Sequence, residues 1–435
     1  MKSRLFPHQH VTVNFCKQIA RLQTYLRNTQ DNLTICMTIS FEWTDEQKIL
    51  RDSVRDFARN EVAPTIPELD KAQKFDRKTL DKMGELGFLG VSIPEEYGGS
   101  GMDYLSTAIV SEEFEYVDTS LRVVISVHNG LNSLGLYQWG NEEQKQKYLV
   151  PQAQGKKIAT YGLTEPNAGS DVAGIQTNAK EDGDYYILNG NKLWISLADV
   201  ADNFITFAKT DPSKGHEGIS AFIVERGSKG LSTGSIHDKL GVRAGNTGLI
   251  NFDSVPVPKE NLVGELGEGF KIAMTCLDNG RFTVGAGAVG LAKASRDAAV
   301  KYAKERQTFG KEIGKHQLVQ RLLAHMQQGI DSAELLIMKA GWLKNMGRRN
   351  TRETAMAKWV ATNVASQCAD DAIQIHGAYG FSAEYPVERF WRNARGARIY
   401  EGTDQIQEIM QGTYAMGYRV DKPLRKELPA WNPKD

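Results

Sequence analysis

Apolar positions first fall into a helical rhythm after Thr44-Asp45-Glu46-Gln47. Ile49, Leu50, Val54, Phe57 and Ala58 follow at helical spacing behind what reads as a capping box. The same spacing runs through 80–89, 105–116, 121–139 and 142–149, with Pro94 and Gly98-Gly99 marking loops. Near residue 160 the period changes. Tyr185-Tyr186-Ile187-Leu188, Asn189-Gly190 and Lys192-Leu193-Trp194-Ile195 read as two strands joined by an Asn-Gly hairpin turn. Short strands are expected at 204–208, 219–224 and 249–252, the pattern of a small antiparallel barrel or sandwich. From about Gly269 the rhythm is helical again, with long amphipathic segments at 317–340 and 353–375. The stretch Gly280 to Gly290 has no lysine and no preceding strand. It reads as a close-packed helix of small residues, not a phosphate loop.

The order helices, strands, helices divides the chain into an N-terminal extension (1–36), a helical domain (37–158), a β domain (159–268), a helical bundle (269–420) and a tail (421–435), an α+β architecture. Residues 1–36 carry Lys2, Arg4, Lys17, Arg21 and Arg27 against one acid, Asp31. They read as an extension upstream of the folded body, or as an organellar transit peptide. The first reading implies a bacterial or archaeal cytoplasm, the second a mitochondrial matrix. The 53 basic and 53 acidic residues cancel, so neither a nucleic acid nor an anionic membrane surface is expected as partner. Cys16, Cys36, Cys276 and Cys368 are widely spaced, against zinc and against a disulfide framework. No apolar run is long enough to cross a bilayer, so membrane insertion is not expected.

Candidate chemistry concentrates in a few segments. Ile399-Tyr400-Glu401-Gly402-Thr403-Asp404-Gln405-Ile406 sets one carboxylate beside a glycine that permits close backbone approach. Ile399 and Tyr400 are expected to shield Glu401 and raise its pKa toward that of a working base. Read alone, it is also an ordinary Glu at a helix start with Thr403 as N-cap. Tyr161-Gly162-Leu163-Thr164-Glu165-Pro166-Asn167-Ala168-Gly169-Ser170-Asp171 combines a strand-like start with a turn exposing N–H groups and hydroxyls, or is a plain connection. Trp194 and Ser196 share one strand face, placed either to meet a flat ligand or to half-bury a sheet. Arg306 and Phe309 close a helix, either as a pair suited to a pyrophosphate and an adenine or as an ordinary solvated helix end. Asp278 and Arg281, three apart, form a phosphate-holding face or a routine intrahelical pair.

Together these segments resemble the acyl-CoA dehydrogenase family across residues 38–420. The signatures are Gly162 to Gly174 (GLTEPNAGSDVAG) and Gln374 to Asn393 (QIHGAYGFSAEYPVERFWRN). The resemblance implies an N-terminal helical domain, a middle β domain, a C-terminal four-helix bundle and FAD as cofactor. It implies that Tyr161, Leu163, Thr164, Gly169, Ser170, Trp194 and Ser196 hold the isoalloxazine ring. Arg306, Phe309, Gln374 and Gly377 would reach the FAD of a neighbouring subunit in a homotetramer, and Thr403 and Gln405 would lie near the dinucleotide. Ser170, Asp278 and Arg281 would contact the CoA thioester arm, with Tyr400 also on the substrate side.

Glu401 matches the catalytic base, taking the α-proton while hydride leaves from the β-carbon to flavin N5. Its own N–H and a flavin ribityl hydroxyl would polarise the thioester carbonyl. The alternative position for a base, just before the arginine, is Gly280. Ser196 stands where many members have Thr, and keeps the hydroxyl. Ala378 and Leu197-Ala198-Asp199 also depart from common family residues.

Glu115 and Arg122, seven apart, are similar to the glutaryl-CoA dehydrogenase branch and imply a short dicarboxylic acyl-CoA. The alternative for that pair is a structural ion pair, and the alternative for the enzyme is a short- or medium-chain acyl-CoA dehydrogenase with no carboxylate preference. Electron-transferring flavoprotein is the implied acceptor. An acyl-CoA oxidase and a non-catalytic acyl-CoA-binding protein are the rival classes.

Overall fold

The computed structural model describes residues 41–431, and the expectations for residues 1–36 lie outside them. Thr44 caps the first helix, α1 (Asp45–Asp56), with the expected box: its Oγ1 accepts from Gln47 N–H at 3.2 Å and Gln47 Oε1 accepts from Thr44 N–H at 2.9 Å. The helical region continues through α2 (Ile66–Ala72), α3 (Arg77–Glu85), α4 (Tyr104–Val117), α5 (Thr119–Val124), α6 (Leu134–Trp139), α7 (Glu142–Gln144) and α8 (Val150–Ala153). Between α5 and α6 the chain stays helical but widens to i→i+5 bonding over Ile125–Ser133, a local winding often found at functional sites.

Eight strands follow: β1 (Ala159–Gly162), β2 (Asn178–Asp182), β3 (Tyr185–Ser196), β4 (Asn203–Lys209), β5 (Ile219–Glu225), β6 (Leu231–Ser235), β7 (Thr247–Pro258) and β8 (Leu262–Val263). They form one sheet in the order β6-β7-β3-β2-β4-β5-β8, with β1 beside β4. Most pairings are antiparallel, but β1–β4 and β2–β4 are parallel, which the sequence reading did not anticipate. The Asn189-Gly190 hairpin is also corrected. Both residues lie inside the continuous strand β3, and the β2–β3 turn is at Gly183 (φ 56°). Gly190 is there for close approach, because a Cβ on it would lie 2.5 Å from Thr177 Oγ1. Asn189 Oδ1 accepts from Ser254 N–H at 2.9 Å, next to a bulge in the β3–β7 register.

The chain then returns to helices: α9 (Gly269–Glu305), α10 (Gln317–Asn345), α11 (Thr351–His376), α12 (Val387–Ala397) and α13 (Asp404–Ala415). A two-stranded ribbon (β9, Gln307–Thr308; β10, Lys311–Glu312) separates α9 from α10. The long helix α9 packs on α10, α11 and α4, so it is shared by both helical regions. One hydrophobic core joins the N-terminal helices to the sheet, and a second, alanine-rich core fills the C-terminal bundle. Beyond α13, Leu424, Leu428 and Trp431 pack onto the first core.

Two buried side chains lock the helices to the sheet. Asn132 donates to Thr160 O (2.7 Å), and Ala159 N–H donates to His128 Nδ1 (3.0 Å), whose Nε2 meets Gln152 O (3.1 Å). Burial pushes His128 down to about 4, so it stays neutral at ordinary pH.

The glycines of α9 are sites of contact. A Cβ on Gly290 would lie 2.1 Å from Glu112 O on α4. Gly290→Ala is therefore expected to force these helices apart and cost about 1–3 kcal/mol, read as a lowered urea midpoint.

Candidate active site

Glu401 lies on a tight turn between α12 and α13. It adopts a left-handed backbone (φ 54°) and Gly402 follows at φ 91°, conformations that a non-glycine residue holds only when its surroundings enforce them. Three donors do so. Arg281 Nε reaches Glu401 O at 3.3 Å, Gln407 Nε2 reaches the same oxygen at 3.2 Å and Gly402 O at 3.0 Å, and Lys358 Nζ reaches Gly402 O at 2.8 Å. Thr403 caps α13, accepting from Ile406 N–H at 3.3 Å. A Cβ on Gly402 would lie 2.5 Å from Gln407 Nε2, so that position is also closed to side chains.

The carboxylate points at α9. A Cβ on Gly280 would lie 2.0 Å from Glu401 Oε2 and 2.7 Å from Leu131 Cδ2, so the absent side chain makes the space the carboxylate fills. Glu401 Oε2 is buried and has no hydrogen-bond partner among the described residues. Its pKa is pushed up to about 7: burial raises it most, opposed by Arg122, Lys358 and Arg281, with a further upward push from Glu115. The expected shielding by Ile399 is corrected, since Ile399 is 54% exposed. The apolar cover comes from Leu131, on the widened helix, and from α9.

Beside Glu401 lies a second buried cluster. Arg122 Nε donates to Glu115 Oε2 at 2.5 Å, Nη1 to Ser126 Oγ at 3.2 Å, and Nη2 to Glu115 Oε1 at 3.4 Å and to the Tyr400 hydroxyl. Thr119 Oγ1 donates to Glu115 Oε1 at 2.8 Å. Gly287 leaves the room, because a Cβ there would meet Glu115 Oε2 at 2.0 Å. Every guanidinium nitrogen of Arg122 thus has a protein partner. Asp278 and Arg281 form the intrahelical pair (2.9 Å), and Thr351 Oγ1 donates to Asp278 Oδ2 at 2.6 Å.

The β-domain segments are brought side by side. Thr160 Oγ1 donates to Ser196 O (2.5 Å), Leu193 N–H to Thr164 O (2.9 Å), and Lys192 Nζ to Leu163 O (3.1 Å). The Tyr161 hydroxyl bonds Ala273 O on α9 at 3.1 Å, and its ring sits within the field of Glu401. An extra residue in β3 between Lys192 and Ile195 puts Trp194 at φ 62° and leaves it 57% exposed, while Ile195 between Trp194 and Ser196 is buried.

Gly169 has open space around it, and Ser170 is exposed. The loop is anchored by a pair the sequence reading missed. Lys192, fully buried, donates to Glu165 Oε1 at 2.7 Å, and Glu165 also accepts from Gln176 and Thr177 N–H (2.5 and 3.0 Å).

Arg306, Phe309, Gln374 and Gly377 do not join this site. Lys358 and Gln374 lie on the same helix, about 24 Å apart at 1.5 Å per residue. At that far end Arg306 lies over Tyr379 (5.8 Å), Phe309 is 95% exposed, and Gln374 and Gly377 are exposed. Gln405 is exposed on the first turn of α13. Lys358 and Gln407 were also missed. Gln407 stands just past the quoted octapeptide, whereas nothing local distinguishes Lys358 within its amphipathic helix.

A carboxylate buried without a partner in a glycine-lined space makes Glu401 the candidate base of an enzyme. The chain belongs to the acyl-CoA dehydrogenase family: its N-terminal domain matches at residues 44–156, its middle domain at 160–255 and its C-terminal domain at 267–412. Short-chain-specific acyl-CoA dehydrogenase of Clostridium acetobutylicum is 45% identical over 372 residues, 86% of this chain and 98% of that protein. The caffeyl-CoA reductase–Etf complex subunit CarC of Acetobacterium woodii is 42% identical, over 85% and 97% of the two chains. Among solved structures, butyryl-CoA dehydrogenase from Megasphaera elsdenii superposes with TM-score 0.85 at 41% identity, covering 87% of this chain and 100% of that one. A glutaryl-CoA dehydrogenase in complex with glutaryl-CoA gives TM-score 0.85 at 40%, covering 87% and 97%. Acyl-CoA dehydrogenases are FAD enzymes, as the resemblance implied.

Removing Glu165 strands the Lys192 ammonium in the interior. Glu165→Ala is expected to cost about 3–5 kcal/mol and to loosen FAD, read by denaturant titration and by flavin fluorescence released on dilution. Lys192→Met, which leaves Glu165 its two peptide donors, should cost less.

Proposed function

We propose that this acyl-CoA dehydrogenase oxidises short, unsubstituted acyl-CoA thioesters, with Glu401 as the base that removes the α-proton. The observation that carries the reading is the buried, unpartnered Glu401 Oε2, on a group whose pKa is pushed up to about 7. A base poised near neutrality is suited to a weakly acidic α-hydrogen. The chemistry that bound FAD supplies is acceptance of hydride from the β-carbon. The protein's part is positional. Tyr161, Leu163, Thr164, Gly169, Ser170, Trp194 and Ser196 would hold the ring, and Ser170, Asp278 and Arg281 the thioester arm. The left-handed turn would set the Glu401 N–H toward the thioester carbonyl.

The choice of an unsubstituted acyl group rests on Arg122. A receptor for a distal carboxylate needs a free guanidinium fork, and here Glu115, Ser126 and Tyr400 engage all three guanidinium nitrogens, so no pair of donors is left side by side. The spacing that pointed to glutaryl-CoA is read instead as a structural ion pair. The similarity to short-chain and butyryl-CoA dehydrogenases supports the same choice. Electron-transferring flavoprotein is the proposed acceptor, in keeping with the Etf complex of the CarC relative. The exposed Arg306, Phe309, Gln374 and Gly377 are proposed to complete the FAD site of a neighbouring subunit in a homotetramer.

Glu401→Gln should keep bound FAD and its yellow colour but lose about 10²- to 10⁴-fold in turnover with an artificial acceptor. Wild-type-like rates would remove Glu401 from the mechanism. In a panel of acyl-CoA substrates, butyryl-CoA should be turned over faster than glutaryl-CoA. Arg122→Ala should lower stability while leaving that ratio unchanged. A ratio that collapses toward butyryl-CoA from a glutaryl-CoA preference would restore the dicarboxylate reading.

A further inference from the structure

Three cations approach Glu401, and their own surroundings separate them. Arg122, from α5, is in contact with the Glu115 carboxylate of α4 at 2.5 Å. Arg281, from α9, is in contact with Asp278 at 2.9 Å. Lys358, from α11, is in contact with a neutral group, the Gly402 carbonyl at 2.8 Å. The other ionisable groups facing this space are Tyr400 on the same turn and Tyr161 from β1, both with pKa raised by burial and so uncharged near neutrality. Asp404, on α13, also faces Lys358; its Oδ2 is bonded to Arg398 at 2.6 Å, while its Oδ1 is buried with no partner among the described residues.

Lys358 is wholly buried, and α9 is shaped to bring it there. A Cβ on Gly285 would lie 3.3 Å from Lys358 N and Cα, so the two helices touch at this point and carry the lysine inward. A buried ammonium is costly unless a negative charge answers it. Glu115 and Asp278 are each bonded to an arginine, so two carboxylates answer Lys358: Asp404 first, through the oxygen Arg398 leaves free, and Glu401 second.

We propose that Lys358 is a positioning residue for the reaction: it fixes the Glu401–Gly402 turn through the Gly402 carbonyl and supplies the counter-charge for the Glu401 carboxylate. The inference rests on Glu401 being the base. Burial lowers Lys358 to about 8, with Asp404 and Glu401 pulling it back up, so it is still protonated at pH 7. Its charge therefore lowers the pKa of Glu401, and neutralising it must raise that pKa further.

The test is the titration of Glu401, followed by infrared difference spectroscopy of the protonated carboxyl stretch in the FAD-loaded enzyme without substrate. Glu401→Gln identifies the band by removing it. Lys358→Met should move the titration, and the acid limb of the kcat/KM profile, upward by about one pH unit. Lys358→Arg should leave both near the wild-type position. Lys358→Gln keeps a donor for Gly402 O without the charge. It should show the same upward move, and it serves if Lys358→Met does not fold. Unmoved titration in the neutral variants, with only thermal stability lowered, would reduce Lys358 to a structural lysine and overturn the proposal. That outcome would leave the base assignment standing, because the assignment fails on a separate result, wild-type-like turnover in Glu401→Gln.

Discussion

The Glu401 carboxylate is held in the interior with one oxygen unpartnered, on backbone that favours glycine. A buried polar atom left unpaired costs on the order of 1–3 kcal/mol, and the left-handed turn adds strain of similar size. Such an arrangement persists only if the rest of the structure over-determines it. Arg281, Gln407 and Lys358 do so from below by binding the turn's carbonyls. Thr403 does so from the side by starting α13 at the next residue. An unpaired oxygen kept at this cost is free to take a proton from a substrate.

The helix α9 is what makes the placement sterically possible. Gly280 opens space for the Glu401 carboxylate, Gly285 lets α11 bring Lys358 close, Gly287 accommodates the Glu115–Arg122 pair, and Gly290 receives the α4 backbone. Glycine inside a helix is destabilising by roughly 1 kcal/mol against alanine. Four of them in one helix therefore mark where neighbouring elements must come closer than a methyl group permits. The same helix receives the Tyr161 hydroxyl at Ala273 O. The β domain, the charged cluster and the Glu401 carboxylate are thus referred to one rigid rod.

The helix–strand–helix order and the Glu401 turn could be read from the chain. Periodicity is a local signal, and the octapeptide 399–406 keeps its aromatic, carboxylate, glycine and N-cap within one turn of sequence. The errors arose where a local pattern has a non-local cause. Asn189-Gly190 carries a hairpin signature, yet Thr177 on a different segment demands the glycine, and the strand runs on. Ile399 looked like a shield because it adjoins Glu401, but the turn sends it to solvent and Leu131, far away in sequence, provides the cover. Lys192 and Lys358 resemble surface lysines until Glu165 and Gly402 are seen against them. The Glu115–Arg122 spacing was legible, but the Tyr400 hydroxyl and Ser126 that occupy the guanidinium were not.

The central claim is that Glu401 exchanges a proton with the α-carbon of a bound thioester. An acyl-CoA with sulfur in place of its β-carbon can lose an α-proton but has no β-hydride to give. Its α-hydrogen exchange with D2O, followed by NMR, therefore isolates the base. Exchange should rise with pH through an apparent pKa near 7 and vanish when Glu401 is replaced by Gln. Exchange that is independent of pH, or that survives loss of the carboxylate, would contradict the account.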